Sequence, residues 1–151
     1  MKLEFLMEYT ATLRQPAEMV GTGPHGSRRI FSVTGGTFEG PRLKGRILPS
    51  GGDWLLADAD GVSRLDVRAT FATDDGALIY VQYFGVNRSE PGRPTRPPGS
   101  QAEYGDRYFM TTPRFETGDE RYRWLNGLVT VAEGKSIAGA VSYRVYAVLN
   151  G

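Results

Sequence analysis

The chain has 151 residues, enough for one domain with its own core and too few to require a second. Eighteen basic and seventeen acidic residues leave a formal charge of +1, and no Lys/Arg block is long enough to attract nucleic acid or an anionic membrane. Because cysteine is absent, disulfides, thiolate nucleophiles, iron–sulfur clusters and cysteine-based zinc sites are excluded. We therefore expect a single domain, residues 1–151, in a reducing compartment.

The N-terminal segment predicts a strand. Leu3, Phe5, Met7, Tyr9, Ala11 and Leu13 lie on one side of it, and mostly polar residues lie on the other. Glu4 and Glu8 interrupt the apolar run, so the segment does not match an export signal. No window approaches the roughly 18 apolar residues of a membrane-spanning helix. The expected protein is cytoplasmic, with one face of its first strand in a core.

The segment 21–26, GTGPHG, satisfies the G-x-G-x-x-G pattern of dinucleotide binding, which acts only between a strand and a helix. Because residues 28–34 read as another strand, we interpret the segment as a glycine-rich turn. His25, the single histidine, is predicted to be a solvated loop residue. One histidine supplies neither a multi-histidine metal site nor a Ser-His-Asp arrangement unless it is itself the base. No other spacing indicates a metal site.

Residues 34–54, TGGTFEGPRLKGRILPSGGDW, place six glycines, two prolines and an Asp-Trp pair among short β-type runs. The double glycines predict positive φ or sharp reversal of the backbone. Short strands are predicted on either side of the second pair, at 43–48 and 54–58. Asp53-Trp54 then directly follows a predicted turn.

Further strands are predicted in the second half of the chain, at 64–73, 77–86, 107–112, 127–132 and 140–149. No long window has helical periodicity, so the fold class is all-β. About eight strands with short turns form either a sandwich or a barrel. We favour a single closed antiparallel β-barrel, because closure removes exposed strand edges.

The pattern of the predicted strand 64–73 leaves open which of its two faces points into the barrel. Apolar Leu65 and Val67 alternate with Asp66 and Arg68. If the polar face is inward, the two charges must pair or meet a ligand; if it is outward, they form an ordinary solvated pair.

The connection 87–106, NRSEPGRPTRPPGSQAEYGD, is a long Pro-rich loop between two predicted strands. Long loops in compact domains are usually functional or disordered. Three interpretations stay open: a surface loop, a flap that carries Arg88, Arg93 or Arg96 toward an anionic ligand, or an oligomer arm.

Three segments together resemble the DUF3237 family, also called UPF0311. They are residues 34–54, residues 73–77 (TDDGA) and residues 111–126 (TTPRFETGDERYRWLN), so the resemblance covers nearly the whole chain. It implies an allene oxide cyclase-like or lipocalin-like barrel, with no settled reaction.

Two carboxylates and one arginine are the candidates for chemistry. Asp53 follows a double glycine and precedes Trp54, whose apolar wall would raise the pKa of the carboxyl; otherwise it caps a turn. Glu116 is the second acid or base, or else an ion-pair partner of a neighbouring arginine. Arg68 would hold an anionic or enolate oxygen. Predicted ligand-binding residues are Trp54, Tyr83, Tyr122, Trp124 and Asn126.

The leading hypothesis is an enzyme that performs acid–base chemistry on a small apolar or aromatic molecule without cofactor or metal. The reaction would be isomerisation, cyclisation, hydration or a lyase step. The alternatives are a non-catalytic binding protein for such a molecule, and a barrel with a filled lumen that acts through its surface. A homodimer or homotrimer is expected to bury the apolar residues at 140–149.

Overall fold

The computed structural model describes residues 1–93, 95–97 and 100–151. Within them the chain forms ten strands and one 3₁₀ helix, Glu120–Gly127. The strands are β1 Lys2–Leu13, β2 Glu18–Gly23, β3 Gly26–Glu39, β4 Lys44–Ala57, β5 Ser63–Thr73, β6 Leu78–Ser89, β7 Arg107–Thr111, β8 Arg114–Glu116, β9 Thr130–Ile137 and β10 Ala140–Leu149. Three residues of the predicted Pro-rich loop, Pro94, Pro98 and Gly99, lie outside the described residues.

Eight strands close into one antiparallel barrel. The order around the ring is β1, β10, β9, β7, β6, β5, β4 and β3, and β3 pairs back with β1. β2 extends the sheet beside β3, and β8 continues beside β6 where β7 ends. The prediction of an all-β closed barrel of about eight strands is confirmed. Closure pairs the first strand with the last, so that their edges are not left exposed.

The more apolar face of most ring strands points into the barrel. The start of β1 departs from the predicted alternation: Phe5 is exposed because the pairing with β10 shifts register between Phe5 and Met7. On β5, Leu65 and Val67 are buried, whereas Asp66 and Arg68 lie outside with 3.5 Å between the guanidinium Nη1 and the carboxylate Oδ1. Of the two alternatives for this strand, the solvated outer pair is therefore the one observed.

Aromatic rings fill the middle of the barrel. The Tyr143 ring lies 5.0 Å from that of Tyr9, 5.4 Å from that of Tyr83 and 5.3 Å from that of Phe109, measured between centroids. Gly134 pairs with Tyr143, and a Cβ at this glycine would come within 2.9 Å of both the Phe109 and Tyr143 rings. The absence of a side chain there gives the rings their space. The central lumen is thus a packed core.

Glycines bend β3 and β4 without ending them. The pairing of these strands shifts register between Ser32 and Thr37, and the β4–β5 pairing shifts between Ile47 and Gly51. Gly36 has φ +140° and Gly51 has φ +85°, which other residues rarely adopt. The prediction of two separate strands at 43–48 and 54–58 is therefore wrong: the double glycine forms an irregularity within one continuous strand.

Four further elements differ from the predicted ones, and one of them is the three-residue strand β8, which no predicted strand covers. The strand β2 was missed because Gly21 and Gly23 read as turn residues; the turn itself is formed by Pro24 and His25. The 3₁₀ helix was not predicted, because eight residues are too few for a helical period to emerge. It occupies the chain up to Gly127, so β9 begins at Thr130 rather than at 127.

The 3₁₀ helix packs at the end of the barrel where β5 and β6 are joined. Its buried residues are Tyr122 and Leu125, and the Tyr122 hydroxyl donates to Asp75 at 2.8 Å. This helix, the one helix in the described part of the chain, is too short and too polar to cross a bilayer.

The described part of the 87–106 loop lies against the outer wall. The Tyr104 hydroxyl donates to Glu8 at 3.2 Å, and the Arg144 guanidinium lies 4.1 Å from the Tyr104 ring centroid. Arg96 pairs with two carboxylates of the loop itself, Glu103 at 2.8 Å and Asp106 at 2.5 Å. This placement is that of a surface loop held to the wall.

Candidate functional site

Asp53 occupies an inward position near the end of the barrel opposite the 3₁₀ helix. It pairs with Phe31 on β3 and with Val67 on β5, and Val67 pairs in turn with Tyr83 on β6. Paired residues of neighbouring strands share one face, so all four belong to one inward layer. Asp53 is the carboxylate in this layer.

A cavity of about 220 Å³ opens beside Asp53. Its wall is mainly apolar and includes Phe31, Leu55, Leu65 and Phe109; Asn87, Gln15 and the buried Tyr143 add polar groups. The volume is below the roughly 300 Å³ at which pockets for drug-sized ligands begin, so the cavity suits a smaller molecule. None of the described residues that line it is Lys, Arg or His, so the wall supplies no cation for an anionic ligand.

Burial raises the pKa of Asp53 to about 7. The backbone N–H of Asp66 opposes this shift by donating to the Asp53 Oδ1 at 3.1 Å, and the Asp66 carboxylate adds to it by repulsion. Burial dominates because the apolar wall disfavours the charged form. A carboxyl with a pKa near 7 both releases and accepts a proton at neutral pH.

The buried tyrosines in and next to the cavity wall remain neutral. Burial raises the pKa of Tyr83 to about 12 and raises those of Tyr9 and Tyr143 well above the usual range. The buried Tyr9 hydroxyl finds no hydrogen-bond partner among the described residues. These rings can donate hydrogen bonds, but they do not supply a base at ordinary pH.

Trp54 and Arg68, two of the predicted site residues, lie on the outer wall. Trp54 is next to Asp53 in sequence and therefore points to the opposite side of β4, where it is 36% exposed. The Arg68 guanidinium lies 5.8 Å from the Trp54 ring centroid. Neither residue lines the cavity beside Asp53.

Glu116 and Asn126 lie along a separate outer groove of about 490 Å³. Glu116 is exposed on β8 and pairs with Tyr80. The Asn126 side chain accepts from the Thr117 N–H and donates to the Thr117 carbonyl, both at 2.9 Å. This amide therefore ties the 3₁₀ helix to the end of β8. The two predicted carboxylates do not meet in one cavity.

Tyr122 and Trp124 belong to the 3₁₀ helix, away from Asp53. Tyr122 is buried and bonded to Asp75, and burial is the largest cause that raises its pKa. Trp124 is half-buried, with the Arg42 guanidinium 3.6 Å from its ring centroid. Of the predicted set, only Asp53 lines the cavity; Tyr83 shares the inward layer of Asp53 but is not part of the cavity wall.

Most of the cavity wall was missed in the sequence. Phe31, Leu55, Leu65 and Phe109 look like ordinary core residues of separate strands. One signal was available: Leu55 is two residues from Asp53 on the same strand and so shares its face. Within residues 1–93, 95–97 and 100–151, no three His, Asp or Glu side chains are grouped as a metal site would require.

Comparison with known proteins agrees with this architecture. A β-barrel-like protein of Acinetobacter baumannii is 38% identical, with a TM-score of 0.87 over 97% of this chain and 94% of that one. An enzyme from Penicillium herquei is 23% identical, with a TM-score of 0.69 over 96% of this chain and 93% of its own. At that identity the second similarity concerns the fold alone.

The sequence comparisons identify the family. A UPF0311 protein of Rhodopseudomonas palustris is 32% identical over 97% of both chains. The family model described as a protein of unknown function, DUF3237, matches residues 1–148. The predicted resemblance is thereby confirmed, and this chain belongs to the DUF3237 family.

Proposed function

We propose that the protein is a small-molecule enzyme in which Asp53 transfers protons without a bound cofactor. The observation that carries the proposal is a half-buried carboxyl with a pKa of about 7 beside an apolar cavity. A catalytic acid or base works best when its pKa lies near the operating pH, and positioned proton transfer contributes roughly 10²–10⁴-fold to a rate.

The reaction class follows from what Asp53 can do alone. Its carboxylate takes a proton from an acidic C–H or O–H of the substrate, and the resulting carboxylic acid returns a proton at another atom. Isomerisation and cyclisation need only this exchange within the substrate. Hydration also consumes a water molecule and a lyase step releases a leaving group, and none of these reactions requires an oxidant or a reductant. Tyr143 lines the same cavity and supplies a neutral hydrogen-bond donor for an oxygen that gains charge.

The substrate is a small, neutral, apolar or aromatic molecule. The cavity wall is mainly apolar, and its described lining residues contain no basic side chain for a carboxylate or phosphate. The earlier hypothesis that Arg68 holds an anionic oxygen is not part of this proposal, because Arg68 lies outside the barrel.

The test is a screen of neutral cyclic and aromatic carbonyl compounds, followed by mass spectrometry of the products. For a compound that turns over, Asp53→Asn should lower kcat by about 100-fold or more while the dissociation constant changes little. Asp60→Asn, an exposed aspartate in the turn before β5, is the matched control and should leave kcat unchanged. Full turnover by Asp53→Asn would overturn the proposal.

Glu116→Gln decides the role predicted for the second carboxylate. Because Glu116 lies in the outer groove, the proposal expects its substitution to leave turnover intact. A loss comparable to that of Asp53→Asn would show that two carboxylates act and that Asp53 alone does not explain the reaction.

The second candidate function is a non-catalytic binding protein. The observation that favours it is that Asp53 is the one carboxylate among the described lining residues, so no separate acid or base accompanies it. A binding protein would hold a compound stoichiometrically and release it chemically unchanged. Asp53→Asn would then change only the dissociation constant.

A further inference from the structure

The outer wall of the barrel carries a row of exposed apolar side chains on β6. Leu78, Tyr80 and Phe84 all point outward, with 59%, 38% and 54% of their surfaces exposed. Exposed apolar residues in isolation are common, but three on one face of a single strand, with Gln82 between Tyr80 and Phe84, are typical of an interaction surface.

Two opposite charges border this row on β8. Arg114 pairs with Gln82 and Glu116 pairs with Tyr80, so the arginine and the glutamate lie beside the β6 row on the same outer face. Both are exposed, and neither forms an ion pair within the part of the chain that the structure describes. Each charge therefore remains available to a partner.

The arrangement is complementary to itself. A two-fold axis can lie between two such walls, parallel to their surfaces and perpendicular to the strands. In this arrangement it passes over β6 and β8 midway between the levels of Gln82 and Tyr80. Such an axis reverses the strand direction, so Arg114 faces the partner's Glu116 and Glu116 faces the partner's Arg114. Phe84 then faces the partner's Leu78 in the same register. An isologous interface requires this reciprocity, in which residue i meets j and j meets i.

The oligomer contact expected from the sequence lies at residues 140–149, but the β6–β8 wall fits a dimer better. Residues 140–149 lie within β10, where the outward Arg144 guanidinium is 4.1 Å from the Tyr104 ring centroid, so the long loop already occupies part of that wall. The β6–β8 wall combines an apolar row with unpaired opposite charges.

We propose that two copies of this chain form a homodimer through the β6–β8 wall. Leu78, Tyr80 and Phe84 supply its apolar contact, and the two reciprocal Arg114–Glu116 pairs set its register. The inference is independent of the proposed chemistry at Asp53, because Asp53 points to the other side of the wall.

The test is a charge exchange measured by light scattering and sedimentation. The wild-type chain should have twice the 16.6 kDa mass of the monomer. Arg114→Glu places like charges in register at both pairs and should raise the dimer dissociation constant at least about tenfold. The double variant R114E/E116R restores opposite charges and should return that constant to within about threefold of the wild-type value.

Phe84→Lys should likewise shift the protein to monomer, and Lys2→Glu, at the far N-terminal end of β1, is a control that should not. Thermal unfolding checks that every variant is folded. A wild-type monomer at high micromolar concentration would overturn the proposal. So would a dimer that Phe84→Lys leaves intact, or a double variant that stays monomeric; an assembly unaffected by all of these substitutions uses another surface.

Discussion

At the scale of single residues, the ionised Asp53 carboxylate lowers the stability of the folded protein. An ionisable side chain on the inward face of a strand loses hydration. Among the described residues, Asp53 accepts a single hydrogen bond in return, from the backbone N–H of Asp66 on β5. As a result, the pKa of the Asp53 carboxyl rises to about 7. The folded protein therefore becomes less stable when this proton leaves.

The pH dependence of stability follows from that shift. Because the pKa of Asp53 is higher in the folded chain than in the unfolded chain, the folded state binds more protons between about pH 4 and pH 7. The free energy of unfolding should therefore fall as pH rises through this window and stay level above it, with a total loss of at most about 4 kcal/mol from this group.

Asp53→Asn should remove this dependence. The amide oxygen can still accept from Asp66 N–H, so the variant loses the ionisation without losing the acceptor. Urea unfolding should show the variant more stable than wild type at pH 8, by about 1–4 kcal/mol, with a difference that shrinks toward pH 4. Asp60→Asn, an exposed position, serves as the control. An equal difference at both pH values would contradict the raised pKa.

At the scale of elements, the bend shared by β3 and β4 depends on glycine. A Cβ at Gly36 would overlap the carbonyl oxygen of Thr10 on β1, and the φ of +140° is itself strained for other residues. This position lies in the β1–β3 pairing that closes the barrel. The glycine therefore permits closure as well as the bend.

Gly36→Ala should lower the free energy of unfolding by about 2–4 kcal/mol, because the β1 and β3 backbones must separate to admit the methyl group. Gly23→Ala is a matched control on β2, where an added Cβ meets nothing within 4 Å and φ is not positive. Its change should stay within about 0.5 kcal/mol. Denaturant titration compares the two; similar losses would show that backbone contact at Gly36 does not limit closure.

At the scale of the whole molecule, closure brings the two ends of the chain together. β1 pairs with β10, and a Cβ on Gly151 would lie 3.2 Å from the backbone nitrogen of Met1. The chain ends could therefore be joined and new ends made elsewhere without changing the order of strands around the ring. The long loop between β6 and β7 is the natural alternative opening, because it lies on the outer surface.

A circular permutant should therefore fold. Joining Gly151 to Met1 through a short glycine linker and opening the chain between Gln101 and Ala102 should keep the midpoint of thermal unfolding within about 10 °C of wild type. The control uses the same linker but opens β3 between Ile30 and Phe31, which cuts the pairing with β2 and β4. That permutant should lack a cooperative transition. If both permutants unfolded with the same midpoint and cooperativity, the result would contradict the closed ring.

Much of the fold could be predicted from local pattern. The alternation of β1 and β5 and the spacing of turns indicated strands, and the number of strands indicated closure. Elements governed by glycine were harder, because Gly51-Gly52 reads equally as a reversal or as an irregularity within a strand. The choice depends on whether the neighbouring strands continue to pair, which they do.

By itself the sequence determined that the chain is an all-β barrel of the DUF3237 family and that Asp53 is a candidate carboxylate. Only the tertiary structure decided that Asp53 points inward while Arg68 and Glu116 lie on the outside. The reason is physical. Alternation specifies which residues of one strand share a face, but which face turns inward and which distant residues meet depend on pairing between strands far apart in the chain.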